Sequence, residues 1–339
     1  MNIFRLLAWG IIWSLGMTTS PAQTNRFRVM EYNTENLFDC RHDTLKDDLA
    51  YLPEATRHWT PYRLHNKLLK LGRLIAAVGK EQAPDLIALC EVENDSVLIK
   101  LTQHTPLRTL DYRFIITHSP DERGIDVALL YQRARFRVLS HHSIPVPLPS
   151  GERPTRDLLH VSGRIATGDT LDVIVCHLPS RITGARRGRL RRQRAAEVLK
   201  RCCDSLMHVR REPRLLVTGD FNDIPEGDVV QGVMQAGAPD NTPSPHRLYN
   251  LMAGKRPGTY RYRGEWSTID HLLVSGLLLD ENAGFHTRSD AATIVTFPYL
   301  LEREKRYGGL RPARTYNGMR YNGGYSDHLP IRADFFLPQ

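Results

Sequence analysis

The chain has 339 residues, of which 41% are hydrophobic and 24% are charged. These proportions are ordinary for a folded globular protein and exclude a chain with too few apolar residues to build a core; one large domain or two ordinary ones would fit. The formal net charge of +9 favours polyanionic partners such as nucleic acid, phospholipid or phosphorylated sugars, without choosing among them.

The N-terminal residues have the pattern of a signal peptide. Arg5 precedes an apolar run from Leu6 to Leu15, and small residues follow as far as Ala22. The run is too short to span a bilayer comfortably, and no later stretch has membrane-spanning length. We therefore expect a cleaved signal peptide over residues 1–22, a single domain over residues 23–339, and export to the periplasm or the extracellular space. A buried N-terminal helix or a membrane anchor is the alternative.

Runs of apolar and β-branched residues recur along the chain and predict about ten strands. In chain order they are Phe27–Tyr32, Asp85–Cys90, Arg113–Thr117, Ile125–Tyr131, Arg135–Leu139, Leu158–Ile165, Leu171–Cys176, Leu215–Gly219, Ile269–Ser275 and Leu329–Phe336. Two long stretches, Phe38–Tyr62 and Phe297–Asp327, look irregular, and loops of this length in a compact enzyme are commonly functional.

Helical periodicity appears in two segments, Leu64–Val78 and Arg187–Met207. The repeating positions are Leu64, Leu68, Leu71 and Ile75 in the first segment and Leu190, Arg194, Val198, Cys202 and Leu206 in the second. Adjacent strands without a helix between them imply antiparallel pairs, whereas strand–helix–strand units imply crossovers. Two mixed sheets packed face to face, with helices outside, satisfy both demands, so we expect an α/β sandwich of the α+β kind.

The cysteines do not indicate a disulfide framework. There are five, so at least one is unpaired within the chain. Cys90 and Cys176 lie in apolar, strand-like runs, where a free cysteine acts as a small hydrophobe. No Cys-x-x-Cys spacing exists, and a zinc ribbon therefore has no support.

Five segments share one design, in which an apolar run ends and acids, amides or histidine follow at once. They are Val29–Asn36, Leu86–Asn94, Val173–Ser180, Leu215–Asp223 and Tyr325–Pro330. Strand ends are where α/β enzymes gather catalytic groups. A single polar residue after a strand is more often a turn former or a helix cap. Five such segments in one chain favour a functional site.

In this order the five segments resemble those of the endonuclease/exonuclease/phosphatase family, which includes deoxyribonuclease I, abasic-site endonucleases, inositol polyphosphate 5-phosphatases and bacterial sphingomyelinases. The most specific motifs are Gly-Asp-Phe-Asn at 219–222 and Ser-Asp-His-Leu-Pro at 326–330. The resemblance, to an exported bacterial-type member, spans about Phe27 to Phe336. It implies a four-layered, DNase I-like α/β sandwich and metal-dependent hydrolysis of a phosphoester.

The resemblance implies a metal site at Asn33 and Glu91, with Glu91 as the principal ligand and Asp327 assisting. The expected ion is Mg²⁺, which binds hard oxygens and keeps several waters; Mn²⁺ and Ca²⁺ remain alternatives. The resemblance further implies that Asp220 positions or deprotonates the attacking water. Asn222 would hold a phosphate oxygen or that water.

Two histidines complete the implied site. His328 would donate to a phosphate oxygen or act as an acid or base, and Asp270 would fix its tautomer and favour its charged form. His177 would stabilise charge on the transferred group, with a satisfied core histidine as the alternative. The chain departs from the commonest family pattern at Cys90, where many members have Gln, and at Thr268, where Arg or Leu is frequent.

Four further residues are placed near the site by the same resemblance. Glu35 would supply an extra carboxylate near the metal. Glu93 is expected to lie outside the set of residues that bind the metal directly. Arg123 and Asp126 belong to a strand that passes beneath the site, where they would touch substrate or brace the loops. We favour bracing.

Two basic stretches are candidate substrate surfaces. From Arg181 to Arg201 there are nine basic residues and a single acid. They suit a phosphate backbone, and a solvated helix face is an equal alternative. The segment Tyr307–Tyr321 mixes Tyr, Arg and Gly, includes Arg314, and carries an Asn-Gly step at 317–318 that predicts a tight hairpin. Its side chains would stack on bases or hold phosphates, unless it is only an ordered rim loop.

The leading hypothesis is an exported, monomeric, Mg²⁺-dependent nuclease or related phosphodiesterase whose substrate is nucleic acid. A phosphatase or a sphingomyelinase-like lipid phosphodiesterase would use the same catalytic residues and differ only at the rims, and fold analogy cannot separate them. A third hypothesis is a surface binding protein that kept the scaffold and lost activity. The completeness of the catalytic set argues against it.

Overall fold

The computed structural model describes residues 25–79, 82–181 and 185–338. The signal peptide predicted over residues 1–22 lies outside these ranges. Within them, no helix combines the length and the apolar character that crossing a bilayer would require.

The described chain contains long strands, short hairpins and a small number of helices. The α-helices are α1 (Pro61–Gly79), α2 (Asp95–Gln103) and α3 (Ala185–Val209). The strands are β1 (Arg26–Leu37), β2 (Leu86–Val92), β3 (Tyr112–Ile116), β4 (Asp126–Gln132), β5 (Phe136–Ile144), β6 (Leu158–Ile165), β7 (Thr170–His177), β8 (Leu215–Asp220), β9 (Leu248–Asn250), β10 (Tyr260–Tyr262), β11 (Glu265–Ser267), β12 (Asp270–Ser275), β13 (His286–Ile294), β14 (Leu301–Arg303), β15 (Leu310–Pro312), β16 (Tyr316–Asn317), β17 (Arg320–Tyr321) and β18 (Ile331–Phe336).

The long strands form two six-stranded mixed sheets. The first has the order β13-β18-β1-β2-β4-β3 and the second has the order β5-β6-β7-β8-β12-β9. In each sheet the pair connected through a long helix is parallel: α1 links β1 to β2, and α3 links β7 to β8. The predicted combination of antiparallel neighbours and helical crossovers in two mixed sheets is confirmed.

The sheets pack face to face and each is covered by helix on its other side. One core joins Leu86 of β2 and Val173 of β7 across the interface and extends to Leu68 of α1. A second core lies between α3 and the outer face of the second sheet, where Leu199 packs with Val217. Central strands that are buried on both faces have continuous apolar sequences. This is why β2 and β8 could be predicted from the sequence.

The helical predictions are confirmed in extent, but the four-residue repeat noted in α3 only partly follows its buried face. In α1 the predicted stripe from Leu64 to Ile75 is buried. In α3, Val198 of the repeat is buried but Leu190 is exposed, and Ala195, Leu199 and Cys203 complete the buried face. A strict four-residue spacing drifts around a helix of 3.6 residues per turn, so the positions chosen from the sequence do not stay on one face.

Strand β1 continues past its predicted end at Tyr32 through an irregular pairing with β2. The register shifts between Asn33 and Leu37. Within this bulge, Glu35 and Asn36 have φ of 52° and 54°. Left-handed backbone is uncommon outside glycine, and bulges beside active sites redirect side chains.

The stretch from Phe297 to Asp327 is ordered by two hairpins, β14–β15 and β16–β17. The hairpin predicted from the Asn-Gly step is confirmed, with Gly318 at φ 64°. The buried Lys67 of α1 donates to the carbonyl of Glu35 at 2.7 Å and to Oγ1 of Thr315 at 2.6 Å. This lysine therefore ties the stretch to the bulge of β1.

Candidate active site

The catalytic and metal residues predicted from the strand ends meet at one edge of the sandwich, where the two sheets adjoin. The first sheet contributes Asn33 from β1, Glu91 from β2 and His328 from the segment before β18; the second contributes His177 from β7, Asp220 from β8, Asp270 from β12 and Asn222 just after β8. The site is therefore built across the interface between the sheets.

Asp220 lies at the centre of this group. Its Oδ2 accepts a hydrogen bond from Nδ2 of Asn33 at 3.1 Å. The same oxygen lies 3.5 Å from Nε2 of His177 and 3.8 Å from Nε2 of His328. Its Oδ1 accepts from the backbone amide of Asn222 at 2.8 Å. One carboxylate thus contacts donors from both sheets.

The environment of Asp220 raises its pKa. Burial is the main cause, repulsion by Asp270 adds to it, and the pKa reaches about 7 even though His328 opposes the change. A carboxyl that titrates near neutral pH suits proton abstraction from water, because a general base works best when its pKa is close to the operating pH.

The surroundings of His328 favour its charged form. Its Nδ1 lies 2.9 Å from Oδ2 and 3.1 Å from Oδ1 of Asp270. Burial alone would lower the pKa of His328, but the Asp270 and Asp220 carboxylates outweigh it and raise the pKa well above its ordinary value. Ser326 fixes the backbone here, since its Oγ accepts from the His328 amide at 3.1 Å and donates to the Asn33 carbonyl at 2.7 Å.

His177 has the opposite character. Burial, followed by the positive charges of Arg156 and Arg123, lowers the pKa of His177 well below its ordinary value. Its Nδ1 is buried and has no hydrogen-bond partner within the described part of the chain. The site thus pairs a charged imidazole with a neutral one, and the neutral ring can donate one hydrogen bond without bringing a second charge.

Arg156 is a positioning residue that the sequence did not indicate. Its guanidinium is buried and donates to the carbonyl oxygens of His177 at 3.1 Å and Leu178 at 2.9 Å. Its Nη1 lies 3.2 Å from Oδ2 of Asp121. These bonds fix the end of β7, from which His177 projects. An isolated arginine ahead of a strand carries no local signal of such a role.

The proposed metal residues present oxygen atoms at the rim of the group. Oε2 of Glu91 accepts from the amide of Asn36 at 2.8 Å, and its Oε1 lies 3.9 Å from Nε2 of His177. Oδ1 of Asn33 accepts from the amide of Glu35 at 3.0 Å. Glu91 is itself in left-handed backbone, with φ of 61°. Carboxylate and amide oxygens fit a hard divalent cation, so this donor set is compatible with Mg²⁺.

A buried acid–acid–histidine cluster lies beside these oxygens. One ligand atom each from Asp220, Asp270 and His328 fall within 4.8 Å of one another. Both oxygens of Asp270, however, face Nδ1 of His328. Asp270 is therefore the partner of an imidazolium, and Glu91 and Asn33 remain the better cation ligands.

The other predicted residues take structural positions around the site. The Glu35 carboxylate accepts from the amides of Thr315 at 2.5 Å and Tyr316 at 3.4 Å, so it anchors the stretch before Asp327 rather than facing the metal residues. Asp126 accepts from Oγ1 of Thr117 at 2.6 Å and thus braces a loop.

Two of the predicted substrate arginines border the site at different points. Nε of Arg181 donates to the carbonyl of Asn222 at 2.9 Å, and its guanidinium lines an open groove of about 690 Å³ with arginines from the N-terminal turns of α3. Nη2 of Arg314 lies 2.5 Å from Oδ2 of Asp327, beside a cavity of about 320 Å³. Arg123, half exposed, lies 3.6 Å from Asp121.

The unusual Cys90 contacts a buried carboxyl to which the sequence pattern assigned no role. Its Sγ donates to the carbonyl of Cys176 at 3.4 Å and lies 3.8 Å from Oε1 of Glu31. Burial, with repulsion from Asp270 and Asp220, raises the pKa of Glu31 well above its ordinary value. The sequence gives one sign of this buried carboxyl, which is a glutamate inside the apolar run of β1.

Comparisons with known proteins agree with this architecture. A family model described as the endonuclease/exonuclease/phosphatase family matches residues 28–336. No curated protein sequence matches the chain significantly.

Solved structures resemble the chain in fold at low sequence identity. A Bacteroides thetaiotaomicron protein of that family has a TM-score of 0.59 and 14% identity, covering 92% of this chain and 98% of its own. A mannosyl-6-phosphatase from the same organism has a TM-score of 0.58 and 15% identity, covering 92% and 100%. TDP2 from D. rerio, complexed with a single-strand DNA product, has a TM-score of 0.54 and 16% identity, covering 91% and 98%.

Proposed function

Because the chain belongs to the endonuclease/exonuclease/phosphatase family, we propose that it is a divalent-metal-dependent hydrolase of phosphodiester bonds. One observation carries the proposal. One oxygen of Asp220 lies close to the side chains of Asn33, His177 and His328. An amide and two imidazoles therefore surround the carboxylate oxygen that would act as the base. Strained left-handed backbone at Glu91 and Asn222, with φ of 61° and 51°, is typical of functional sites.

Each of these side chains has its own role in an in-line displacement at phosphorus. Asp220, ionised above its pKa of about 7, accepts a proton from the attacking water as the new O–P bond forms. The imidazolium of His328 donates to a phosphoryl oxygen and offsets the charge that grows in the transition state. His177 and the amide of Asn222 supply neutral donors. The P–O bond to the leaving group breaks, and that oxygen takes a proton from solvent.

Glu91 and Asn33 would hold the cation, with Asp327 nearby. When bound, Mg²⁺ would neutralise charge on the phosphoryl group and orient it. Asp327 is already paired with Arg314. We therefore rank Asp327 behind Glu91 as a ligand.

Nucleic acid is the substrate we favour. The net charge of +9 and the arginine-lined depressions on the rim suit a chain of phosphates. TDP2, similar in fold, was solved with a single-strand DNA product. The fold likeness to a mannosyl-6-phosphatase supports a sugar phosphatase as the second candidate. We also propose export, on the pattern of residues 1–22.

The test is hydrolysis of bis(p-nitrophenyl) phosphate with Mg²⁺ and with EDTA, followed by a panel of plasmid DNA, single-stranded DNA, RNA, sphingomyelin and sugar phosphates. We expect metal-dependent turnover, with nucleic acid as the best natural substrate. Preference for a sugar monophosphate would move the assignment to the second candidate. Absence of metal-dependent turnover on every substrate would leave a binding protein as the better description.

A further inference from the structure

A cavity of about 320 Å³ beside the catalytic group is walled by the hairpins β10–β11 and β14–β15 and by the turn between β14 and β15. Its charged lining consists of Arg261, Arg263, Arg306, Arg311 and Arg314 against the carboxylates of Glu304 and Asp327. Five guanidinium groups against two carboxylates give a strongly positive cavity. The hydrolytic step proposed above uses none of these arginines.

Arg261 is held rigidly within this cavity. Its Nε donates to the carbonyl of Gly264 at 3.0 Å, and its Nη2 donates to the carbonyl of Gly308 at 2.8 Å. Both glycines adopt positive φ, 90° and 70°, in the two turns that supply these carbonyls. Nη1 is buried and lacks a hydrogen-bond partner within the described residues. A guanidinium fixed by its other nitrogens and left with an unpaired buried donor is suited to receive an anion.

The positive charge is only partly compensated by the protein. Arg311 pairs with Glu302 at 2.8 Å and Glu304 at 2.9 Å, and Arg314 pairs with Asp327 at 2.5 Å. Across residues 25–79, 82–181 and 185–338, no carboxylate lies within 4.0 Å of the basic nitrogens of the other three arginines. An incoming phosphate would thus meet guanidinium groups whose charge no carboxylate neutralises, and such groups bind phosphate by charge-assisted hydrogen bonds.

The cavity adjoins the catalytic group. Tyr260, the first residue of β10, forms an antiparallel bridge with His328. Their ring centroids are 5.0 Å apart. Arg261 follows Tyr260 directly, and Asp327, which precedes His328, lines the cavity. A group bound there would belong to the same substrate molecule as the phosphoryl group under attack.

Exposed aromatic rings accompany the arginines. Tyr262 and Tyr307 both line the cavity and are largely open to solvent. The guanidinium of Arg263 lies 5.2 Å from the ring of Tyr262, and that of Arg306 lies 5.2 Å from the ring of Tyr307. Sites that bind single-stranded nucleic acid combine positive charge for the backbone with aromatic rings on which unpaired bases stack.

We propose that this cavity binds the nucleotide adjacent to the scissile bond. Its phosphate contacts Arg261 with help from Arg263 and Arg306, and its unpaired base stacks on Tyr307. The inference rests on the proposed function and narrows it, because it makes the substrate a single-stranded nucleic acid rather than an isolated phosphodiester. A sugar phosphate or a lipid headgroup carries no base for the tyrosines.

Binding can be tested without turnover. The anisotropy of a fluorescein-labelled single-stranded oligonucleotide is titrated with protein in EDTA, for wild type, Arg261→Gln, Tyr307→Ala and the control Arg133→Gln. Arg133 is exposed and lies in the turn between β4 and β5. We expect Arg261→Gln to weaken binding by about tenfold or more, the size of one lost charge-assisted contact, and the control to leave it unchanged. Thermal unfolding checks that each variant is folded.

Two further probes separate base stacking from phosphate binding. An oligonucleotide with abasic positions should bind wild type more weakly, and Tyr307→Ala should lose this discrimination. Anionic phospholipid vesicles should bind all four proteins equally. Unchanged oligonucleotide affinity in both Arg261→Gln and Tyr307→Ala would overturn the inference, as would vesicle binding that depends on Arg261. Hydrolysis of bis(p-nitrophenyl) phosphate is measured in parallel. Absence of metal-dependent turnover by wild type on this ester and on every substrate of the panel overturns the proposed function, whereas the oligonucleotide-binding result decides whether the cavity binds a nucleotide.

Discussion

Nδ1 of His328 lies 2.9 Å from Oδ2 of Asp270, and both side chains are buried. Asp270 comes from the second sheet, whereas His328 leads into β18 of the first. The pair therefore joins the sheets, and the carboxylate keeps the imidazole positively charged by raising its pKa well above the ordinary value.

Asp270→Asn should change the pH dependence of the reaction. Without the carboxylate, the pKa of His328 falls, because burial is then opposed only by the Asp220 and Asp327 charges. The imidazolium of the variant is consequently lost at a lower pH than that of wild type. We expect kcat at pH 8 to fall by roughly 10²-fold and to recover partly towards pH 6, as measured by pH–rate profiles. A uniform loss at every pH would contradict this role.

Asp220→Asn should abolish most turnover while leaving the fold intact. The amide can still accept the hydrogen bond from the Asn222 backbone, but it cannot take a proton from water. We expect kcat to fall by roughly 10²- to 10⁴-fold, with little change in KM and in the unfolding midpoint. The matched control is Asp240→Asn, an exposed position. Near-wild-type rates in Asp220→Asn would remove Asp220 from the mechanism.

Glu91→Gln should raise the concentration of Mg²⁺ needed for activity, since it removes the anionic ligand. Glu93→Gln is the matched control two residues away. Burial and the nearby Asp39 carboxylate raise the pKa of Glu93 to about 8, so this side chain is largely neutral at pH 7 and glutamine preserves its charge. We expect the half-saturating Mg²⁺ concentration to rise by about 10- to 100-fold in Glu91→Gln alone. Equal metal requirements in both variants would exclude Glu91 as the principal ligand.

Most of the fold was predictable because the central strands are buried on both faces. The apolar runs of β2, β7 and β8 end directly at Glu91, His177 and Asp220, so strand prediction also located the candidate site. What the sequence did not reveal depends on contacts between distant residues. Arg156 and Lys67 have no local pattern, and their roles follow only from the carbonyl groups that folding places beside them.

Strand β13 and helix α2 are among the elements that the sequence did not indicate, each for a local reason. Strand β13 lies at an edge of the first sheet and carries a largely polar sequence, with Thr287, Ala292 and Ile294 as its buried residues. Helix α2 starts at a side-chain cap, because Asn94 accepts from the amide of Val97 at 3.2 Å. In the sequence this asparagine was grouped with the acids after β2, although an asparagine before an apolar-periodic segment also indicates a helix start.

Asp172→Asn should destabilise the fold in a pH-dependent way. Burial disfavours the Asp172 carboxylate, but hydrogen bonds from His160, Arg210 and Ser162 outweigh it and lower the pKa below its ordinary value near 3.8. The stabilisation is therefore fully present above about pH 3.8 and is lost as pH falls towards the depressed value. We expect the variant to lose about 3 kcal/mol at pH 7 and less at pH 3, by urea denaturation. A pH-independent difference would contradict the assignment.

Gly219→Ala should disrupt the junction between β7 and β8. Gly219 has φ of 141° and is paired with Cys176. An added Cβ would lie 1.8 Å from the Cys176 carbonyl oxygen, which cannot move without displacing His177. We expect a loss of about 3 kcal/mol in unfolding free energy together with lost turnover. Gly232→Ala, where a Cβ meets nothing within 4 Å, is the control and should change neither.

The division of the site between two sheets has a consequence for how turnover can be tuned. Asn33 and Glu91 are carried by one sheet and Asp220 and His177 by the other, so their separation is set by the apolar layer in which Leu86 and Val173 pack. A shift of about 1 Å in the placement of reacting groups can cost roughly 10² in rate. Exchanging one aliphatic residue for another deep in that layer would thus adjust catalytic power while every polar side chain stays the same.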